Sequence, residues 1–252
     1  MSLTSLIVVA SFFLIISFLY SSVGFGGGSS YLAILALYFS IPEEIKSMAL
    51  LCNIWVVSMS CVALYRSREV WFSAAWKYAL VSVPFSFLGA TMRLEQRLFF
   101  LVLATTLSVS ALFLVFQIAN SSRRNESQEL SQAPIKYIIG MAVGFVSGLV
   151  GIGGGIFLSP LLLLFRWEKT AIVPAIASFF ILINSISGIG GLWWSGGFQL
   201  NVQDVIPCLV AVSIGGFLGI RIRQGNFKAR HIKAVTALLI FMVAIRLFVK
   251  FL

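Results

Sequence analysis

Two glycine runs carry the first chemical signal in this sequence. Val23-Gly-Phe-Gly-Gly-Gly28 and Val150-Gly-Ile-Gly-Gly-Gly155 repeat one pattern at an offset of 127 residues, and both lie within apolar tracts. Glycine is disfavoured in a helix interior by about 1 kcal/mol against alanine, so four glycines within five residues predict an interrupted helix. A helix restarting after Gly28 or Gly155 points free N–H groups and the positive end of its dipole outward, which suits an anion. The candidate binding residues are therefore Gly26, Gly27, Gly28, Gly153, Gly154 and Gly155, with the hydroxyls of Ser29 and Ser30 beside the first run. Ile156 and Phe157 take those two places after the second run, so a site built from both runs need not be symmetric. Close helix packing through small residues is the competing use of such glycines.

Asn53 and Asn184 form the second signal, with Ser178 nearby in sequence to Asn184. A side-chain amide in an apolar helix needs a partner, and both helix-to-helix glue and substrate contact fit that need. At helical spacing Asn184 shares a stripe with Ser187, Gly188 and Gly191, and Asn53 shares one with Ala49 and Ser60. Catalytic chemistry finds little support. The single histidine, His231, sits in a basic cluster, and no Gly-x-Ser-Gly sequence accompanies it. A serine–histidine hydrolase or a histidine metal site is thereby disfavoured. No catalytic residue, metal or cofactor is expected. All eight acidic residues lie in or beside segment ends, away from mid-membrane positions where proton relays are found. Cys52, Cys61 and Cys208 read as small packing residues.

The elements that must position these residues are membrane helices. Sixty per cent of the 252 residues are apolar and ten per cent are charged, with a mean hydropathy of +1.02. A soluble domain carries roughly 25% charge. The first charged residue is Glu43, and further uncharged tracts cover 47–65, 78–92, 98–122, 137–165, 170–203, 205–220 and 234–245. About twenty apolar residues suffice for a helix to cross the hydrocarbon. The first tract lacks a basic leader, so it is expected to belong to the mature chain rather than to be a signal peptide. The net charge of +10 reflects Lys and Arg at segment ends, which set orientation, and does not point to nucleic acid.

The chain divides into a first repeat, 1–119, a polar cytoplasmic linker, 120–134, and a second repeat, 135–252. The expected fold is an all-α membrane protein. It comprises two inverted repeats of about four helical segments each, the first segment of each broken at its glycine run. Residues 3–40 are too many for one crossing and too few for two with a turn, so two short half-helices meeting as a re-entrant hairpin are expected. Two full crossings in place of each hairpin give the same charge tally and stay open. With re-entrant hairpins, Lys46, Arg93, Arg97, Arg246 and Lys250 lie on one side and the other thirteen basic residues on the opposite one. The positive-inside rule then places both termini outside a bacterial inner membrane. The runs are expected to meet near the bilayer midplane, at a cavity bordered by Asn53, Ser178 and Asn184.

This arrangement resembles the TauE/SafE family of sulfite exporters. The second half carries the closest likeness, in Gly148-Leu-Val-Gly-Ile-Gly-Gly-Gly-Ile-Phe-Leu-Ser-Pro160 with Ser178 and Asn184 downstream. The resemblance covers nearly the whole chain. It implies export of sulfite, sulfoacetate or a similar small organosulfonate from the cytoplasm. The first half has Ser29-Ser-Tyr-Leu-Ala33 where a proline-containing stretch belongs, which leaves the particular anion open. The expected partners are a small inorganic or organic anion and the lipid bilayer, and a homodimer is compatible with both. The competing classes are a membrane assembly protein without transport and an intramembrane enzyme.

Overall fold

Apolar tracts this long satisfy their backbone only as helices, and the computed structural model is helical throughout its ordered elements. It describes residues 3–66, 72–119, 133–165, 167–168, 172–222 and 229–252. Most of the polar linker, 120–132, and the side chain of His231 therefore lie outside the described residues. In chain order the helices are α1 (Leu3–Val23), α2 (Gly28–Tyr38), α3 (Pro42–Arg66), α4 (Phe72–Thr91), α5 (Gln96–Ala119), α6 (Ala133–Val150), α7 (Gly155–Leu164), α8 (Val173–Trp194), α9 (Val202–Ile222) and α10 (Ala229–Phe251). Among the described residues, six of them are long and apolar enough to span a membrane. Their outward faces carry large apolar side chains such as Phe12, Leu112 and Leu238, a surface suited to lipid.

Both glycine runs break the helix where expected, between α1 and α2 and between α6 and α7. The arms differ from the expected pair of short half-helices, because α1 has 21 residues and α2 only 11. Nothing charged or rigid interrupts residues 3–22, so α1 runs on until the glycines stop it.

Small residues fix the direction of each helix pair. Gly215 packs on the carbonyl of Leu14 and Gly219 on that of Phe18, so α1 and α9 run parallel. Gly144 packs on Ser82 and Gly148 on Ser86, so α6 and α4 run parallel too. Along α3 and α8 the order reverses: Leu50 meets Gly188, whereas Asn53 meets Ser185. Trp55 bonds Ser213 and Met59 nears Gly216, which sets α3 parallel to α9. Ser82 meets Asn184 and Phe87 meets Gly191, which sets α4 parallel to α8. At the start of α5, Arg97 donates to the last carbonyls of the chain, Phe251 at 3.0 Å and Leu252 at 2.9 Å, so α5 opposes α10.

These directions decide how the breaks are used. The starts of α1 and α3 share one face of the bundle, so α2 must bring the chain back. The starts of α6 and α8 share the other face, so α7 does the same. Each glycine run is the tip of a helical hairpin. In the first, the rings of Phe13 and Tyr31 stand 4.5 Å apart, which requires α2 to double back along α1. The described chain ends, Leu3 and Leu252, lie on one face, and the helix ends flanking 120–132 lie on the other. Exchanging each helix for the one five places along preserves the neighbours: α1 on α9 becomes α6 on α4, and α2 on α10 becomes α7 on α5.

Candidate functional site

Halfway along α3, Asn53 is fully buried between the two glycine runs. Its amide nitrogen donates to Ser185 Oγ at 3.1 Å and reaches the carbonyl of Ile152 at 3.5 Å. A Cβ at Gly28 would lie 2.8 Å from that nitrogen, and one at Gly153 only 2.6 Å from it. Gly26 abuts the amide oxygen on the other side, an oxygen with no hydrogen-bond partner among the described residues. Ser178 ties α8 to the same place, donating to the carbonyl of Gly24. Gly26, Gly28, Gly153, Asn53 and Ser178 thus meet in one small region, with Gly27, Gly154 and Gly155 adjoining it in the chain.

The glycines are required for different reasons. Gly151, Gly153 and Gly154 have φ near +80 to +90°, at +87, +83 and +80°, where a side chain is strained. In the first run only Gly24 shares that geometry, at +81°. Gly27 instead serves close approach, since a Cβ there would lie 2.7 Å from the Tyr31 ring and 2.8 Å from Ile16. The restarted helices are left open. Gly27 and Gly154 are the N-caps of α2 and α7, and no side chain caps either. The first amides of such a helix have no partner within it.

The start of α7 opens on a cavity of about 50 Å³, counted as space open to water centres. One water needs roughly 10–15 Å³ on that measure, so the cavity holds a few waters or one small ion. Gly26 lines it from the first run and Gly155 with Ile156 from the second. Tyr20, Ser159 and Thr236 contribute hydroxyls, while Phe25, Leu114 and Ile181 are among its apolar walls. No charged side chain is among the lining residues. Tyr20 pairs with Ser30 at 2.9 Å, and Thr236 and Ser29 also lie within its hydrogen-bonding reach. Ser29 and Ser30 therefore reach the cavity through Tyr20. Ser159 donates back to the carbonyl of Gly155 at 2.7 Å, leaving its lone pairs free.

Asn184 stands elsewhere. Its amide nitrogen donates to Ser82 Oγ and to the carbonyl of Phe180, each at 2.8 Å. Ser86 donates to its backbone carbonyl at 3.0 Å, and Ser187 donates to that of Val83 at 2.7 Å. The stripe of Asn184, Ser187 and Gly191 is the seam between α8 and α4. Asn184→Ala is accordingly expected to lower stability by about 1 kcal/mol and to leave the KM for substrate unchanged. Thermal unfolding of the purified protein beside a transport titration checks both halves of this expectation.

Tyr20, Ser159 and Thr236 were not identified from sequence. Ser159 had a usable signal, lying one helical turn past Gly155. Tyr20 had a weaker one, lying four residues before Gly24. Thr236 gave none, because only the fold brings α10 against the hairpins.

The chain matches the family model described as Sulfite exporter TauE/SafE over residues 9–247. It is 30% identical over 250 residues to a protein of Sinorhizobium fredii named "Probable membrane transporter protein", a match spanning 97% of this chain and 98% of that one. A protein of Methanocaldococcus jannaschii with the same descriptive name is 26% identical over 250 residues, spanning 92% and 90%. No solved structure matches.

Proposed function

We propose, for a chain that belongs to the sulfite exporter TauE/SafE family and is a multi-pass membrane transporter, that its cargo is a small sulfur-containing anion such as sulfite, sulfoacetate or a similar organosulfonate, exported from the cytoplasm. The observation that carries this reading is the cavity where Gly26 of one hairpin faces Gly155 of the other. Its donors are the hydroxyls of Tyr20 and Thr236 and the helix-start amides, all neutral, because Ser159 spends its proton on Gly155. Neutral donors attract an anion yet let it go, whereas a fixed charge at the narrowest point would slow release. The volume suits sulfite, and a larger organosulfonate needs the hairpins to part.

The matched neighbours and opposed directions of the two halves support an inverted duplication. Substrate sites at the interface of such repeats are a general pattern of transporters. Hairpins entering from opposite faces give the anion one glycine tip on each side, Gly26 and Gly155. Outward movement needs no carboxylate, because an inside-negative potential favours it.

Two measurements test this. Purified protein in sealed vesicles is expected to move sulfite, or sulfoacetate, in preference to chloride, with thiosulfate as a further probe. Vesicles permeable to none of the sulfur anions would refute the cargo. For orientation in the inner membrane, reporters fused after Leu252 are expected to read extracytoplasmic, and reporters within 120–132 cytoplasmic. A cytoplasmic C-terminus would reverse the proposed sidedness.

A further inference from the structure

Lys46 lies one turn into α3 and is 1% exposed. The charge pattern groups it with basic residues at segment ends, where a lysine ordinarily reaches out to water. Here the side chain runs inward instead. A Cβ at Gly151 would lie 3.1 Å from Lys46 Cγ, and the ammonium stands 5.3 Å from the centre of the Phe99 ring, which is itself fully buried. Among the described residues Lys46 has neither an ion pair nor a hydrogen bond. Glu43 is near enough to act on it electrostatically, from the first turn of the same helix. An ammonium has three donors, and a ring face satisfies none of them as an oxygen acceptor would.

Its position gives this buried cation a use. Lys46 and Asn53 are seven residues apart on α3, which puts them on one face about 10 Å apart. The second glycine run lies along that face, with Gly151 beside Lys46 and Gly153 beside Asn53. Gly155 then opens on the cavity. Lys46 is near the start of α3, on the face that holds the chain ends. The cavity residues Leu114 and Thr236 lie late in α5 and early in α10, toward the opposite face. The ammonium and the cavity therefore flank the glycine crossing.

We propose that the Lys46 ammonium is a second anion-binding subsite, on the chain-end side of the crossing, where the translocated oxoanion is held as it leaves the glycine runs. This rests on the anion-transport reading above. The cavity binds through neutral donors, and among the described residues Lys46 supplies the full charge met along the second run.

The test uses the full chain in sealed vesicles with sulfite as the probe, a titration with the chain-end side facing the added anion. Lys46→Met is expected to raise the KM for sulfite at least about tenfold, the effect of losing a charged hydrogen bond. Lys46→Arg is expected to stay close to wild type. Lys46→Cys should behave like the methionine variant until alkylation with 2-bromoethylamine rebuilds a lysine-like ammonium and restores the KM. Wild-type protein treated in the same way controls for Cys52, Cys61 and Cys208. An unchanged KM in Lys46→Met, beside normal wild-type transport, overturns the subsite alone. Equal failure of the methionine and arginine variants, without recovery on alkylation, also overturns it and marks Lys46 as a packing residue. Wild-type vesicles that move no sulfur oxoanion overturn the anion reading and the subsite together.

Discussion

Gly154→Val is expected to abolish transport while leaving the protein in the membrane. The residue has φ of +80°, a region that costs a non-glycine residue about 1–3 kcal/mol, and valine is branched at the very atom that is added. That atom would also lie 2.8 Å from the Phe180 ring and 3.2 Å from Ser147. The run would have to shift, and the start of α7 with it. Insertion depends on the long apolar helices, which the substitution leaves untouched. Gly27→Val should have the same outcome for a different reason. Its backbone is ordinary, but the new side chain would drive Tyr31 and Ile16 apart and open the first hairpin. Gly190→Ala is the control, because its added Cβ would meet only the Phe87 ring at 3.7 Å, an ordinary contact. Initial rates in vesicles with equal protein incorporation decide the matter. Normal transport by both valine variants would remove the glycine runs from the pathway.

The second large effect concerns driving force. Transport is expected to follow the membrane potential, at about 2.3 kcal/mol per charge per 100 mV, or roughly a fifty-fold shift in the equilibrium distribution of a singly charged anion. Among the described residues no carboxylate lines the cavity to carry a coupled proton. Glu168 accepts a hydrogen bond from Tyr78 at 3.3 Å, away from the hairpin tips. Asp204 lies in the first turn of α9. Vesicles poised with a potassium diffusion potential, with and without a pH gradient, separate the two sources. Transport that persists at zero potential and collapses with the pH gradient would contradict the expectation. Glu168 and Asp204 would then be the groups to replace.

The sequence made the breaks legible because glycine's cost in a helix is local and additive. Gly24 to Gly28 and Gly151 to Gly155 interrupt their helices irrespective of what surrounds them. Basic residues at segment ends fitted re-entrant hairpins and paired crossings alike, and the opposed directions of α3 and α8 agree with either. The length of α1 exceeds a half-helix because it is set by where the glycines fall and not by the total length of the tract. Asn53 and Asn184 looked alike in sequence, each an amide in an apolar helix. Only packing separates them: Asn53 touches both runs, whereas Asn184 turns to Ser82 on α4. The hydroxyls of Tyr20 and Thr236 and the buried Lys46 were hidden for the same reason. Their significance comes from residues far away in the chain, and no local spacing encodes it.

The central claim is that an oxoanion sits where the two hairpins cross. Selenite, the selenium analogue of sulfite, tests it directly through the anomalous scattering of crystals grown or soaked with it. The account predicts a selenium peak in the cavity between Gly26 and Gly155, within hydrogen-bonding distance of the Tyr20 or Thr236 hydroxyl, that sulfite displaces. An empty cavity at selenite concentrations that saturate transport, or a displaceable peak only at a distant surface, would contradict it.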